Sequence, residues 1–190
     1  MFFTDTTFEP KRKFRFTMVF SEQPDITFMC TKAGKPSYTL EATPHRFLNH
    51  EYKFPNIVKW QDVNVSFVDA RDPNVGFRFF NMLQQAGYQI PSGLNADNGI
   101  GLTKESSTNA LGSVYIRQLD GGARDIASDL SVPGGMGAPH PAKIVDQFEL
   151  KNAFISSVKW GELDYSQDAL VNIDITIKYD YANFALGPGD

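Results

Sequence analysis

From Val171 to Tyr181 every odd-numbered residue is apolar and every even-numbered residue is polar. Side chains alternate between the two faces of a strand, so this segment reads as one strand with a dry face and a wet face. It is long beside the usual strand of roughly 5–6 residues. The same period recurs in Lys13–Phe20, where Phe14, Phe16, Met18 and Phe20 share a face, and in Trp60–Val68, where Val63, Val65 and Phe67 do. Further strands are predicted over Ile26–Thr31, Ser37–Ala42, His50–Phe54, Ser113–Leu119 and Val145–Ile155. About eight strands in one chain of this kind predict a mainly β fold, an antiparallel two-sheet sandwich or barrel.

One helix is predicted over Pro73–Ala86. Asp72 is placed to cap it, Pro73 fits its first position, and Gly87 can end it in a left-handed conformation. Val75, Phe79, Met82, Leu83 and Ala86 fall at near-helical spacing, so the helix should flank the sheets and cover an open end or edge. Residues 91–111 are rich in Ser, Asn, Gly and Thr, and residues 120–142 in Gly and Pro; both are expected to be loops. The organisation expected is a single domain over 1–190 with a loop-rich elaboration at about 89–143.

Composition narrows the function. The chain is 42% hydrophobic and 21% charged, enough for a folded core. A net charge of −4 argues against a protein that coats nucleic acid, although Lys11-Arg12-Lys13 forms a short basic run before Phe14-Arg15-Phe16. Residues 1–60 hold 9 basic and 6 acidic side chains and residues 61–190 hold 9 and 16, a split of +3 and −7 that would suit head-to-tail stacking of copies. The single cysteine, Cys30, excludes an internal disulfide and a cysteine-based zinc site, and fits assembly in a reducing cytoplasm. The first residues lack the pattern of a signal peptide, and no stretch has the roughly 20 apolar residues of a membrane span.

A search for chemistry yields little. His45 and His50 point to opposite faces of a strand unless the chain turns at Leu48-Asn49, and no cysteine or acidic cluster converges on them. His140 lies in a proline-flanked loop, and Cys30 sits in an apolar segment as a small hydrophobe. No nucleophile elbow, Walker loop or dinucleotide fingerprint is present, and no catalytic residue, metal or cofactor is expected.

The order of segments nevertheless has a pattern. Phe14–Phe20 is followed by Phe28-Met29-Cys30-Thr31-Lys32-Ala33 running into Gly34-Lys35-Pro36, then Phe47-Leu48-Asn49-His50. Next come Trp60–Asp69 with the helix directly after, Phe154–Tyr165, and the alternating strand closing on Tyr179-Asp180-Tyr181. Over about 12–88 and 144–182 the chain resembles the tail tube proteins of contractile-tailed bacteriophages; residues 89–143 depart from the shorter members.

The resemblance implies a structural virion protein, assembled in the host cytoplasm, whose six copies form a ring and whose rings stack as a tube. The tube would be the channel for genome delivery inside a contractile sheath. Its implied partners are itself, the tail sheath, baseplate and tape-measure proteins, and phage DNA in transit without specific binding, with no membrane. Assembly would pair strand edges that are otherwise prone to aggregate. Under that reading the segments Ser37–Ala42 and His50–Phe54 pair as a hairpin, with Tyr38, Leu40, Tyr52 and Phe54 on one face. Thr39, Glu41, Glu51 and Lys53 on the other face are the candidates to line the channel, which should be polar and not strongly basic. The alternatives are a tube initiator or terminator, and the tube protein of a type VI secretion apparatus. A carbohydrate-binding sandwich using Tyr88, Tyr115 or Trp160, and a hydrolase using His45 or His50, are rivals of other classes.

Overall fold

The computed structural model describes residues 10–91, 101–120, 144–166 and 168–187. Among the described residues ten strands and two helices run in the order β1 (Phe16–Phe20), β2 (Cys30–Ala33), β3 (Ser37–Phe47), β4 (His50–Gln61), β5 (Val63–Val68), α1 (Val75–Gln85), α2 (Lys104–Leu111), β6 (Val114–Leu119), β7 (Ile144–Lys151), β8 (Phe154–Trp160), β9 (Asn172–Lys178) and β10 (Tyr181–Leu186). All strand pairings are antiparallel. One sheet has the order β1-β6-β7-β10, a second has β2-β5-β9-β8, and β3 with β4 forms a separate two-stranded ribbon. The expected mainly β, two-sheet architecture with a flanking helix is what the chain adopts.

The core lies between the inner faces of the two sheets. Met18, Phe20, Val114, Ile116 and Leu150 from the first meet Val63, Val65, Phe67, Ile173, Ile175 and Ile177 from the second. Phe67 touches Phe20 and Phe79, with ring centroids 5.9 and 5.3 Å apart. Each such side chain contributes about 1.5–3 kcal/mol by leaving water. The alternation in 171–177 translates directly: Ile173, Ile175 and Ile177 are buried while Asn172 and Asp174 are exposed.

Several elements differ from the sequence expectations, each for a local reason. The segment predicted as a strand at Ile26–Thr31 is a 3-10 turn over Pro24–Met29, opened by Pro24, and β2 begins only at Cys30. The predicted strand Val145–Ile155 is two strands, because Asn152 turns the chain at φ 55° and Ala153 carries it from one sheet to the other. The long alternating strand likewise breaks after Lys178, and its last part is β10 of the opposite sheet.

These two corners are tied together. Asn152 Nδ2 donates to Asp180 Oδ2 at 2.6 Å, and the Asp180 N–H donates to the Lys151 carbonyl at 3.0 Å. Lys104 of α2 donates to both carboxylate oxygens of Asp180, at 2.8 and 2.7 Å. The Lys104 bond first, and the Asn152 bond second, hold the Asp180 carboxyl below its ordinary range.

The helix caps also differ. Asn74, not Asp72, caps α1, its Oδ1 accepting from the Phe77 N–H at 2.7 Å. At the other end the Gly87 N–H donates to the Gln84 carbonyl and the Tyr88 N–H to the Leu83 carbonyl, with Gly87 at φ 109°. That is the left-handed stop expected of this glycine. Helix α2 occupies a stretch expected to be loop: Thr103 and Ser106 cap its first turn reciprocally. Both helices sit beside β8, where Gly76 lets α1 approach the Trp160 ring closely.

Candidate assembly surface

The β3–β4 ribbon is the most unusual part of the molecule. Every residue of β3, and every residue of β4 except Trp60, is exposed. At about 3.4 Å per residue the arm reaches roughly 35 Å. Its root is fixed by aromatic stacking: Tyr38 packs edge-on to Trp60 at 5.4 Å, and Trp60 against Tyr179 at 6.0 Å. The Tyr179 hydroxyl donates to the Gln61 carbonyl at 2.8 Å, and Lys35 just before β3 donates to Gln118 Oε1 at 2.5 Å.

At its tip Phe47 faces His50 across a two-residue turn, and Leu48 takes φ 54° with its side chain 87% exposed. A bulky left-handed residue is a costly conformation that a free loop would avoid. Between root and tip the arm exposes Leu40, Tyr52, Phe54, Ile57 and Val58.

The register corrects the expected grouping of the channel candidates. Ser37–Leu40 pairs with Val58–Gln61, and Thr43–Phe47 pairs with His50–Phe54, so the hairpin is twice as deep as the short pair expected. Between Leu40↔Val58 and Ala42↔Pro55, β4 carries one residue more than β3, a bulge at Asn56-Ile57. Directly opposed residues share a face. Thr39 and Glu41 therefore stand on the face of Lys59, which bonds Glu41 at 2.6 Å. Glu51, paired with Arg46 and 3.5 Å from its Nε, and Lys53, paired with Pro44, stand on the face of Leu40. Tyr52 and Phe54 lie with Thr43 and His45 on the Thr39 side. In the outer half the two-residue turn pairs Phe47 with His50 and so sets even-numbered β3 residues against odd-numbered β4 residues, which divides the four polar candidates two and two.

The first sheet presents a second kind of surface: among the described residues no further strand pairs with its outer strands β1 and β10. The Gly187 N–H donates to Val145 O, and the Ser21 N–H to Ser113 O, each between directly opposed residues. Hydrogen-bonded and open positions alternate along an antiparallel pair. The backbone groups of Ala182, Phe184 and Leu186 in β10, and of Phe16, Met18 and Phe20 in β1, therefore point away from the sheet.

Among the described residues no three His, Cys, Asp or Glu side chains are grouped to hold a metal. The turn at Leu48-Asn49 does bring His45 and His50 to one face of the arm. Tyr115 lies on β6, Trp160 on β8 and Tyr88 after α1, on three separate elements. Burial pushes the Cys30 thiol up to about 11, against a weak bond from Sγ to the Lys32 carbonyl. At pH 8 its reaction with a disulfide reagent should run about a hundredfold slower in the folded chain than in urea. An equal rate in both would show that the thiol is open to solvent.

No family model matches the chain, and no curated protein matches it in sequence. Solved structures do match over nearly its whole length. A chain of the anti-feeding prophage (AFP) baseplate aligns with TM-score 0.61 at 14% identity, over 94% of this chain and 97% of that one. A chain of the PVC sheath-tube complex, from an extracellular contractile injection system in its extended state, aligns with TM-score 0.60 at 12% identity, over 93% and 92%. A chain of the PVC sheath/tube terminator, also extended, aligns with TM-score 0.61 at 12% identity, over 95% and 99%. At these identities the likeness is one of fold: the chain has the fold found in tube, terminator and baseplate components of contractile particles.

Proposed function

We propose that this chain is a structural, non-enzymatic subunit of a bacteriophage contractile tail, six copies closing a ring and rings stacking into the tube that conducts the genome. The observation that carries the reading is the arm. An isolated two-stranded hairpin is marginal in water, yet this one extends from the body with large apolar side chains on both faces. Neighbouring copies would cover them.

The first sheet would supply the ring contact. Its four strands alternate in direction, so β10 of one copy and β1 of the next run antiparallel, and the sheets can continue edge to edge into a closed barrel. Heterologous contacts of this kind close when the rotation per copy divides a full turn. Thr39 and Glu41, with Lys59, form the polar strip we assign to the channel near the arm's root. Glu51 and Lys53, on the opposite face of the same ribbon, would turn away from that channel toward a neighbouring copy. The sheath, baseplate and tape-measure proteins are the proposed partners, and the virion tail is the proposed location.

The likeness to a sheath/tube terminator favours one second reading, a subunit that ends or starts the tube. Negative-stain microscopy of the purified chain over a range of concentrations separates the two. Hollow tubes elongating from this chain alone support the main tube subunit, and single rings support the terminator. A monomer under every condition would count against both.

A further inference from the structure

The loop between β8 and β9 encloses a cleft of about 590 Å3 whose walls include Leu163, Tyr165 and Leu170, with Glu162 and Asp174 also lining it. Leu163 is 86% and Leu170 75% exposed, and residues 161–171 contain three acids and no base. An open cleft of mixed apolar and acidic lining suits an occupant with an apolar tip and flanking cations.

Such a segment lies at the other end of the sequence. Arg12-Lys13-Phe14-Arg15 precedes β1, carries no acid, and leaves Phe14 75% exposed. The Arg15 guanidinium lies 5.5 Å from the Phe14 ring centroid, so the phenyl ring is presented together with a cation. Phe14 does not enter the cleft of its own chain, which leaves both halves of the match available to a second copy.

We propose that the cleft of one copy receives Phe14 of another, with Arg12 and Lys13 facing Glu162 in the cleft wall and Asp168, an exposed acid of the same loop outside that wall. Cleft and occupant are different surfaces, so the contact is heterologous and repeats from copy to copy. It deepens the tube reading by supplying a joint between subunits, and it also gives the uneven charge of the chain a role.

The test uses the full chain and charge exchange. Phe14 is exposed, so Phe14→Ala should melt as the wild type does while raising the concentration for half-maximal assembly at least about tenfold. Glu162→Lys/Asp168→Lys should do the same, as should Arg12→Glu/Lys13→Glu. The chain carrying all four reversals should regain assembly, because the attraction is restored with its sign inverted. Wild-type assembly by Phe14→Ala, or failure of the fourfold exchange to recover, would overturn the contact while leaving the tube reading in place.

If the wild-type chain forms no assembly, the tube reading fails. The contact is then decided by a fluorescent peptide of residues 10–16: binding to the wild-type chain and not to Glu162→Lys/Asp168→Lys supports it, and equal or absent binding to both overturns it.

Discussion

Ala182→Pro should leave the monomer folded and abolish ring formation. Position 182 directs its N–H away from β7, by the alternation set at Gly187 and Val145. Proline is tolerated on an edge strand where the missing N–H faced solvent. In a ring closed through β10 and β1 that N–H would instead meet the neighbour's strand, and every junction would lose a bond and gain a steric block. Asn183→Pro supplies the contrast, because position 183 faces Glu149 of β7 inside the sheet. There the substitution removes a bond the monomer needs and should cost about 1 kcal/mol or more in urea unfolding. Sedimentation velocity and a urea titration on the two variants give opposite patterns if the edges join: one loses assembly and keeps stability, the other loses stability. Rings from Ala182→Pro at wild-type yield would remove β10 from the interface.

How much of this was open to a reader of the sequence depends on which physical signal each element carries. The alternation at 171–177 reports burial on one face, and the three isoleucines are buried as it implies. It cannot report the change of sheet after Lys178, because Tyr179 and Tyr181 keep the same period through the corner. Helix α2 was hidden because only Ala110 and Leu111 of its residues are buried, too few to draw an apolar stripe. The capping pair Thr103 and Ser106 was the signal that could have shown it. The arm was legible as a hairpin but not in its register: the turn at Leu48-Asn49 pairs Phe47 with His50 and sends Tyr52 and Phe54 to the face opposite Leu40, and nearer the root a bulge inserts one more residue without a marker in the pattern. Nor does the sequence distinguish Tyr52 or Phe54 on an exposed ribbon from the same residues in a core.

The largest loss of stability from a single exposed-side change is expected at Lys11. Asp146 of β7 is 2% exposed, and its Oδ2 accepts from Lys11 Nζ. Among the described residues Asp146 Oδ1 is the buried side-chain atom left without a hydrogen-bond partner. Its cross-strand neighbour Gln118 is the other buried polar residue, held by Lys35 and by the Arg12 carbonyl. Two lysines thus converge on adjacent positions of β6 and β7, one from before β1 and one from the arm's root. Removing one partner of a buried ion pair costs about 3–5 kcal/mol, because the remaining charge stays in a dry site. Lys11 is half-exposed, so water can replace part of what it supplies, and Lys11→Met should fall near the lower end of that range. Removing the charge as well reverses the sign of the argument. Asp146→Leu fills a similar volume, abolishes the unpartnered oxygen, and in the double variant with Lys11→Met should recover most of the lost stability. Urea midpoints of the wild type, the single and the double variant decide it, provided the slopes agree. A single variant as stable as the wild type would mean that Asp146 does not depend on this lysine. A double variant as unstable as the single would mean that Lys11 acts by holding residues 10–15 against the sheet rather than by neutralising a buried charge.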